Sequence, residues 1–558
     1  MAFQTFDPPS GDLSSGDPDG DGGDAVRARV TALRALFPGL DVDGVIIPHE
    51  DAYQSEYLPP SEERLAFVTG FTGSAGRAFV LADKALFATD GRYTLQAKTQ
   101  VPGDTFEIVS KEKDETDWLK KALPGVRLGY DPNLHARRFV TRLTEMVPDV
   151  TLVPLANHPV DAIWNERPPT APGTVRSHPA SFAGRTTSEK LADIRADMET
   201  DAHVIAAADT VSWLLNWRGD DIAHTPLVLA RAFVPKSGAV TVFVEPQKVP
   251  ADVLAPLDGL VTLRPDSDYP EALKTLSGGL KVSADPAKVS EAALSAIEAG
   301  GTLVPGADLV DKLKAIKNGA EIEGMRRAHQ RDGVAMVRFL AFCDQHAAGR
   351  TEIDLVEKLE ALRREVGATD VSFDTISGSG PNGAIVHYRV DRSTNRTIAP
   401  GDPVLIDSGA QYPDGTTDIT RTIVAGTPTD EFRRAFTLVL KGHIAISRQR
   451  FPEGTAGADI DGLARAALWN AGHDYAHGTG HGVGAALAVH EGPAGISKRS
   501  RVPLKAGMIL SNEPGFYPGD FGIRIENLVL VSPAEVPAGG SVAMLSFETL
   551  TLAPIDTR

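Results

Sequence analysis

The sequence contains a single cysteine among its 558 residues, Cys343, so no disulfide can form within the chain. Cys343 lies in the apolar run MVRFLAFCD, which predicts a helix and a buried, inert thiol, because a nucleophilic thiol needs an accessible, electropositive setting. Basic residues are also scarce: 56 Lys and Arg stand against 74 Asp and Glu, a formal net charge of −18. Nucleic acids and anionic membranes need a basic partner surface, so we expect this protein to bind neither.

Long apolar runs are missing as well. No run reaches the roughly 18–20 residues that a membrane-spanning helix needs. The N-terminal stretch MAFQTFDPPSGDLSSGDPDGDGGD has neither the basic start nor the apolar segment of a secretory signal. Its content of Asp, Gly, Ser and Pro instead predicts a disordered acidic tail over residues 1–24. These absences together predict a cytoplasmic protein.

What is present is an alternation of helical and strand patterns typical of a mixed α/β (α+β) fold. At roughly 150 residues per domain, the length predicts about three or four domains. Residues 25–165 and 166–316 form two regions of similar size and element order, which we expect to be structural relatives. Pro168, Pro169 and Pro172 mark the linker between them. Nearly all motifs with chemistry lie in the third region, residues 317–558.

The stretch LIDSGAQYPDGTTDIT carries two acids, Asp407 and Asp418, at the facing ends of two predicted strands. PVLIDSGA is typical of a buried strand and DITRTIVAG of the next one, with a turn signature at Pro413, Asp414 and Gly415. For either acid alone, a solvated carboxylate at a strand end is the simpler interpretation. A hairpin-like pair, however, brings the two acids together, where they repel unless a positive charge lies between them.

Three histidines follow in HGTGHGVGAALAVHEGP: His477, His481 and His490. The first two have the i, i+4 spacing of the helical HExxH zinc motif, but Gly478 stands where the glutamate should be. Glycine at alternate positions also makes a regular helix poor. We therefore reject a helical zinc-protease site and expect the glycines to let backbone and side chains crowd a site closely.

Two further motifs carry acids. SNEPGFY contains Glu513, and GIRIENLVLV reads as a strand on which Arg524 and Glu526 point to the same face. A surface ion pair is the usual interpretation of such a pair. Within a run this apolar, a buried and paired role is about as plausible.

The negative charges of these motifs would balance the charges of two divalent cations. Asp407, Asp418, Glu513 and Glu526 supply four negative charges, and neutral His481 adds a nitrogen, so two divalent cations would neutralise the set. Oxygen-rich ligation with one imidazole suits Mn²⁺ and tolerates Co²⁺, Fe²⁺ or Zn²⁺. Two such ions about 3.5–4 Å apart can activate a water between them.

SGSGPNGA offers a competing motif, since it matches GxGxxG at Gly378, Gly380 and Gly383. Pro381 lies inside the loop, and the following IVHY reads as a strand rather than a helix. A dinucleotide site needs a strand–loop–helix context, so we reject one here.

Four motifs together resemble those of the metallopeptidases of the pita-bread fold, which include methionine aminopeptidase, prolidase and aminopeptidase P. They are the pair Asp407 and Asp418, HGTGHGVG, EPGFY and RIEN. The chain resembles in particular the three-domain Xaa-Pro aminopeptidases, through DAYQSEYLPPSEERLAFVTGFTGSAG, ATDGRY, WLLNWRGDDIAHTP, GAIVHY, LIDSGAQYPDGTTDITRT and HGTGHGVG. This resemblance implies two creatinase-like domains, residues 25–165 and 166–316, followed by a pita-bread catalytic domain, residues 317–558. It also implies a homodimer.

For single residues, the resemblance implies two groups. The first group matches the five ligands of a dinuclear metal centre: Asp407, Asp418, His481, Glu513 and Glu526. The second group lines the substrate site or orients a ligand: His387 in GAIVHY, His477, His490 and Arg524. In this family the histidines steady the tetrahedral intermediate, and the arginine orients a ligand carboxylate. Glu513 is in addition our candidate proton carrier.

The implied reaction is release of the N-terminal residue from short peptides with proline in second position, by attack of a hydroxide that bridges two divalent ions. An X-Pro bond has no N–H, so peptidases that dock substrate as a hydrogen-bonded strand handle it badly. Prolidase, which cleaves Xaa-Pro dipeptides, shares the ligands and is the enzymatic alternative. A catalytically silent binding module and a metal-free creatinase-like hydrolase are further alternatives, weakened because all five ligand positions are filled.

Overall fold

The computed structural model describes residues 21–170 and 173–558. Residues 1–20 of the predicted tail and Pro172 of the linker lie outside the described residues. The end of the predicted tail is helical, because the first helix, Asp21–Leu40, begins four residues before Ala25.

The first region is built on a mixed six-stranded sheet. Its central strand, Gly44–Pro48, pairs antiparallel with Arg77–Leu81 and parallel with Arg127–Tyr130. Val45 and Ile47 pack on one face and Ile46 on the other, so the sheet is buried on both sides. The order across the sheet is Glu107–Val109, Ala85–Ala88, Arg77–Leu81, Gly44–Pro48, Arg127–Tyr130, Thr151–Pro154. The helices after the first are Arg64–Thr69, Thr94–Gln100, Glu112–Ala122, Arg137–Met146 and Pro159–Ile163.

The second region repeats this architecture with the same strand order and the same strand directions. The order is Val261–Arg264, Val240–Phe243, Arg231–Pro235, Ala202–Ile205, Lys281–Ala284, Thr302–Pro305. The helices are Ala180–Ala183, Thr187–Asp197, Ala208–Leu215, Ala251–Leu254, Tyr269–Leu276, Glu291–Gly300 and Leu309–Ala315. The predicted relationship between the two regions is therefore present in the fold although their sequences do not repeat.

The third region packs four long helices around antiparallel sheets. The helices are Gly319–His346, Glu352–Glu365, Asp430–Ser447 and Gly457–Trp469. One sheet has the order Ile376–Ser379, Pro403–Ser408, Ile419–Val424, and a larger one has the order Arg450–Pro452, Met544–Thr549, Asn527–Ala534, Ile509–Asn512, Gly480–Gly482, Glu491–Ile496. A small three-stranded sheet consists of Asp370–Val371, Ala410–Tyr412 and Gly415–Thr416. A two-stranded sheet consists of Gly515–Phe516 and Ile523–Arg524. Cys343 is buried in the first of these helices, and burial raises the pKa of its thiol to about 12.

Three local predictions differ from the structure. The segment between Asp407 and Asp418 is not a simple turn, because Ala410–Tyr412 and Gly415–Thr416 form a hairpin of their own. The predicted strand GIRIENLVLV is broken at Ile525 and Glu526, between the strands Ile523–Arg524 and Asn527–Ala534. The N–H of Glu526 donates to Thr420 O, in the strand that follows Asp418. IVHY, predicted as a strand, is irregular and follows a short 3₁₀ helix, Gly380–Ala384.

In the part of the chain that is described, no helix is both long and apolar enough to cross a bilayer.

Candidate metal centre

Two neighbouring strands hold the two aspartates. In the antiparallel pair of Pro403–Ser408 with Ile419–Val424, Asp407 lies opposite Thr420, and Asp418 directly precedes the second strand. Both carboxylates are buried, and the Oδ1 atom of each makes no hydrogen bond among the described residues. A buried, unpartnered carboxylate oxygen is costly unless a cation or a water takes it.

The side chains of Glu526 and Arg524 both form a hydrogen bond with the hydroxyl of Thr420. Thr420 Oγ1 donates to Glu526 Oε2 at 2.7 Å and accepts from Arg524 Nε at 3.2 Å. The predicted common face of Arg524 and Glu526 is therefore present even though the strand breaks between them. Arg524 Nη2 also donates to Asp407 Oδ2 at 2.6 Å, so one guanidinium orients both acids.

His481 lies on the short strand Gly480–Gly482, beside two of the acids. Its Nε2 is 3.5 Å from Asp418 Oδ2 and 3.5 Å from Glu513 Oε1. Nδ1 lies 2.9 Å from Gly482 O and must donate to that carbonyl, so in the neutral ring Nε2 carries the lone pair that a metal ion needs. One ligand atom each from Asp418, His481 and Glu526 lies within 4.8 Å of the others.

Close packing at Gly480 brings this strand onto the next one. A Cβ atom on Gly480 would lie 1.9 Å from Ser511 O, so only glycine fits there. The approach lets Ser511 Oγ accept from His481 N at 2.9 Å and donate to Glu513 Oε1 at 3.1 Å. The alternate glycines of the motif therefore position a histidine and an acid, as their pattern predicts.

Burial and neighbouring negative charge raise the pKa values of three of the acids, Asp407, Glu513 and Glu526. Burial, followed by the charges of Asp418, Asp407 and Glu513, raises the pKa of Glu526 well above its usual range. Burial also raises the pKa of Asp407 and of Glu513, against the opposing charges of Arg524 and His481 respectively. Four carboxylates are thus held close together at a cost that divalent cations would remove.

The same acids also raise the pKa of His481. Burial favours its neutral form, but the hydrogen bond to Asp418 and the charge of Glu513 outweigh burial and raise its pKa to about 9. Without a cation, the proton on His481 is part of what neutralises the acids. A metal ion would have to displace that proton.

His477 has both ring nitrogens engaged by the protein. Nδ1 lies 2.7 Å from Gly478 O and Nε2 lies 2.9 Å from Tyr517 OH. Tyr517 accepts from Arg524 Nη1 at 2.7 Å and so donates its only proton to His477. Burial and the charge of Arg524 lower the pKa of His477 to about 3, which keeps the ring neutral. Tyr517 lies in the motif EPGFY, but no pattern in the sequence predicts that it links Arg524 to His477.

His387 and His490 each have a partner from the first region of the chain. Tyr93 OH lies 2.8 Å from His387 Nδ1, and Glu56 Oε2 lies 2.7 Å from His490 Nδ1. Although burial favours its protonated form, the charge of His490 holds the pKa of Glu56 well below its usual range. Among the described residues, the Nε2 atoms of His387 and His490 make no hydrogen bond. Tyr93 and Glu56 were missed at the sequence level because they lie 294 and 434 residues from their partners.

The site opens into a cleft of about 2500 Å³ between the first and third regions. Tyr57 from the first region and His224 from the second also line this cleft. Of the nine predicted site residues, eight line the cleft: His387, Asp407, Asp418, His477, His481, His490, Glu513 and Glu526. Arg524 lies behind Asp407 and is only 1% exposed. The structure therefore brings together all nine residues.

Family models match three consecutive parts of the chain. The model of the Creatinase/Prolidase N-terminal domain matches residues 29–163, and a second model of that domain matches residues 166–321. The model of Metallopeptidase family M24 matches residues 323–533. The three matches follow the three regions seen in the fold.

Curated relatives match over nearly the full length. Aminopeptidase P2 from Arabidopsis thaliana is 40% identical over 584 residues, which cover 96% of this chain and 82% of the relative. A probable Xaa-Pro aminopeptidase P from Paracoccidioides lutzii is 38% identical over 561 residues, which cover 94% of this chain and 91% of the relative.

Solved structures give the same likeness. The X-prolyl aminopeptidase from Caenorhabditis elegans, described as a cytosolic enzyme with a di-nuclear active site, matches with a TM-score of 0.90 and 35% identity. That match covers 95% of this chain and 92% of the other. A prolidase from Thermococcus sibiricus has a TM-score of 0.52 and 27% identity, and covers 67% of this chain and 98% of its own.

Proposed function

We propose that this chain, which belongs to the Xaa-Pro aminopeptidases of metallopeptidase family M24, removes the N-terminal residue from peptides with proline in second position. The observation that carries this proposal is the match over all three regions. Aminopeptidase relatives align with 94–96% of the chain, whereas the prolidase from Thermococcus sibiricus covers 67%. The greater share of the chain that the aminopeptidase relatives match favours an aminopeptidase over a prolidase.

Two divalent ions fit the residues of the site. Asp407, Asp418, His481, Glu513 and Glu526 would hold them, since their charges balance and two buried aspartate oxygens are unpartnered. A di-nuclear site is also what the relative from Caenorhabditis elegans is described to have. The oxygen-rich ligand set favours Mn²⁺, with Co²⁺, Fe²⁺ and Zn²⁺ as alternatives. When bound, such ions polarise a scissile carbonyl and activate a water for attack.

The chain's own groups would then manage the substrate and the protons. Glu513 borders the cleft beside His481, and we assign it the proton that passes from the attacking water to the leaving amine. We assign His387 and His490 to donate a hydrogen bond from Nε2–H to the oxygen that gains charge at the scissile carbonyl. His387 can do so when its Nδ1 accepts from Tyr93 OH, and His490, whose Nδ1 donates to Glu56, must carry a proton on both nitrogens. Because both nitrogens of His477 are engaged, we assign it to holding Tyr517 and Arg524 rather than to contact with that oxygen.

We also propose the cellular setting and the assembly. A cytoplasmic location is supported by the description of the Caenorhabditis elegans relative as cytosolic. A homodimer is supported by Ile444, Leu463 and Trp469, apolar residues that are 42%, 38% and 48% exposed on two adjoining helices of the third region. Light scattering of the purified chain tests the assembly directly.

The activity is tested by incubating the Mn²⁺-loaded protein with Arg-Pro-Pro, Arg-Ala-Ala and the dipeptide Arg-Pro. The proposal expects release of arginine from Arg-Pro-Pro and little release from Arg-Ala-Ala. Cleavage of Arg-Pro alone would move the assignment to a prolidase. Cleavage of none of the three, with any divalent ion, would remove the peptidase assignment.

A further inference from the structure

A buried carboxylate outside the metal site organises the loop that carries His387. Glu352 is the first residue of the helix Glu352–Glu365 and is 0% exposed. No Lys or Arg side chain forms an ion pair with it among the described residues. A buried carboxylate without a cation is unfavourable unless several hydrogen bonds satisfy its oxygens.

Glu352 is satisfied by four residues of the loop 379–396, which contains His387: Ser379 at its start, Asn382 and Tyr388 within it, and Arg396 at its end. Oε1 accepts from Ser379 N at 2.6 Å and from Ser379 Oγ at 2.8 Å. Oε2 accepts from Asn382 Nδ2 at 3.0 Å, from Tyr388 OH at 3.1 Å and from Arg396 N at 3.1 Å. The carboxylate therefore ties the start of the loop to its end.

Within that loop, three consecutive residues are fixed from three directions. Val386 O accepts from Arg524 Nη2 at 3.2 Å, and His387 Nδ1 is bonded to Tyr93 OH. Tyr388, which is buried, points its hydroxyl to Glu352. The imidazole of His387 is thus positioned by its two chain neighbours as well as by its own hydrogen bond.

We propose that Glu352 is a positioning residue for His387 in the hydrolysis, an inference that rests on the proposed peptidase function. Glu352 does not line the cleft, so its effect on the reaction must pass through the loop. Displacement of a positioned group by about 1 Å can cost roughly a hundredfold in rate. A carboxylate is required because a Gln amide has one acceptor oxygen instead of two and would turn N–H groups toward buried donors.

The inference is tested with a double-mutant cycle on Arg-Pro-Pro hydrolysis. The four enzymes are the wild type, Glu352→Gln, His387→Ala and the double variant, all loaded with Mn²⁺. We expect Glu352→Gln to lower kcat at least tenfold in the wild type and less than twofold in the His387→Ala background. Bound metal per chain should stay unchanged, because Glu352 contacts none of the proposed ligands. Non-additivity of this kind reports action through His387 rather than a general loss of structure.

Glu360→Gln is the matched control. Glu360 is a buried carboxylate on the same helix, and it accepts a hydrogen bond from Thr375 Oγ1, which lies outside the loop. Its effect on kcat should be the same in both backgrounds. If Glu352→Gln does not fold, Tyr388→Phe, which removes one donor from Glu352, takes its place in the cycle. Equal losses in the two backgrounds, or no loss in the wild type, would overturn the inference. An inactive wild type would instead overturn the proposed function.

Discussion

Arg524 Nη2 lies 2.6 Å from Asp407 Oδ2, and both side chains are buried. The same guanidinium donates to Thr420, Tyr517 and the Val386 carbonyl. One buried cation therefore connects a proposed metal ligand, the partner of His477 and the loop that carries His387. Groups that orient metal ligands in this way are part of the site although they touch neither metal nor substrate.

Arg524→Lys should weaken both metal binding and turnover. A single ammonium cannot replace a planar guanidinium that bonds four partners at once. We expect a loss of about 10–100-fold in Mn²⁺ affinity or in kcat/KM, the range typical of residues that orient ligands. Arg326→Lys is the control, since Arg326 makes two hydrogen bonds to Glu548 outside the site. Unchanged affinity and turnover in Arg524→Lys would contradict the role given to this residue.

Glu513→Gln should separate metal binding from proton transfer. The amide keeps one oxygen for a metal ion but cannot accept and release a proton. If the variant retains its metal, we expect turnover of Arg-Pro-Pro to fall at least about a hundredfold, the low end for general acid–base catalysis. The metal content of each preparation is measured alongside turnover. Near-normal turnover with metal bound would remove the proton-carrying role from Glu513.

Metal binding should release protons at neutral pH. In the metal-free protein the pKa of His481 is about 9, so the ring is protonated at pH 7 and must lose its proton to bind a cation. The raised pKa of Glu526 acts in the same direction. We therefore expect Mn²⁺ affinity to rise at least tenfold per unit between about pH 6 and pH 8. Calorimetry in buffers of different ionisation enthalpy counts the protons, and a count of zero at pH 7 would contradict this account.

Glu526→Gln should change the stability of the metal-free protein and of the metal-loaded protein in opposite directions. Its pKa is raised in the folded state, so its contribution to stability is full below the unfolded pKa of about 4.3 and is lost as pH rises. As the pH is raised through the pKa of Glu526 in the folded protein, the neutral amide should therefore increasingly raise the melting temperature of the chelated protein above that of the wild type. With Mn²⁺ present the variant should melt below the wild type, because a ligand is lost. A lower melting temperature in both states would argue against repulsion among the acids.

Much of the metal site follows from local sequence patterns. An apolar run that ends in Asp407, a turn signature and an alternating run after Asp418 are enough to predict two strands with facing acids. The four negative charges of the motifs then predict bound cations. The alternate glycines around His481 likewise exclude a helix and predict the close packing observed at Gly480.

The misses occur where distant parts of the chain decide the structure. Glu526 leaves the strand pattern because its N–H bonds to Thr420 O, which no local preference reveals. IVHY is irregular because its polar anchors lie at Tyr93 and Glu352, far from it in sequence. Glu56 reaches His490 across 434 residues. The contacts of Tyr93 and Glu56 depend on how the first region packs against the third, and those of Thr420 and Glu352 depend on packing within the third region. No local pattern in the sequence determines either.

The central claim, that five residues of the third region hold two divalent ions for Xaa-Pro hydrolysis, is tested most directly by one titration. Fully chelated protein receives increasing Mn²⁺, and the release of arginine from Arg-Pro-Pro is measured against the number of ions bound per chain. The account predicts no activity without metal and full activity when two ions are bound. Full activity in the chelated protein, or no activity with two ions bound, would contradict it.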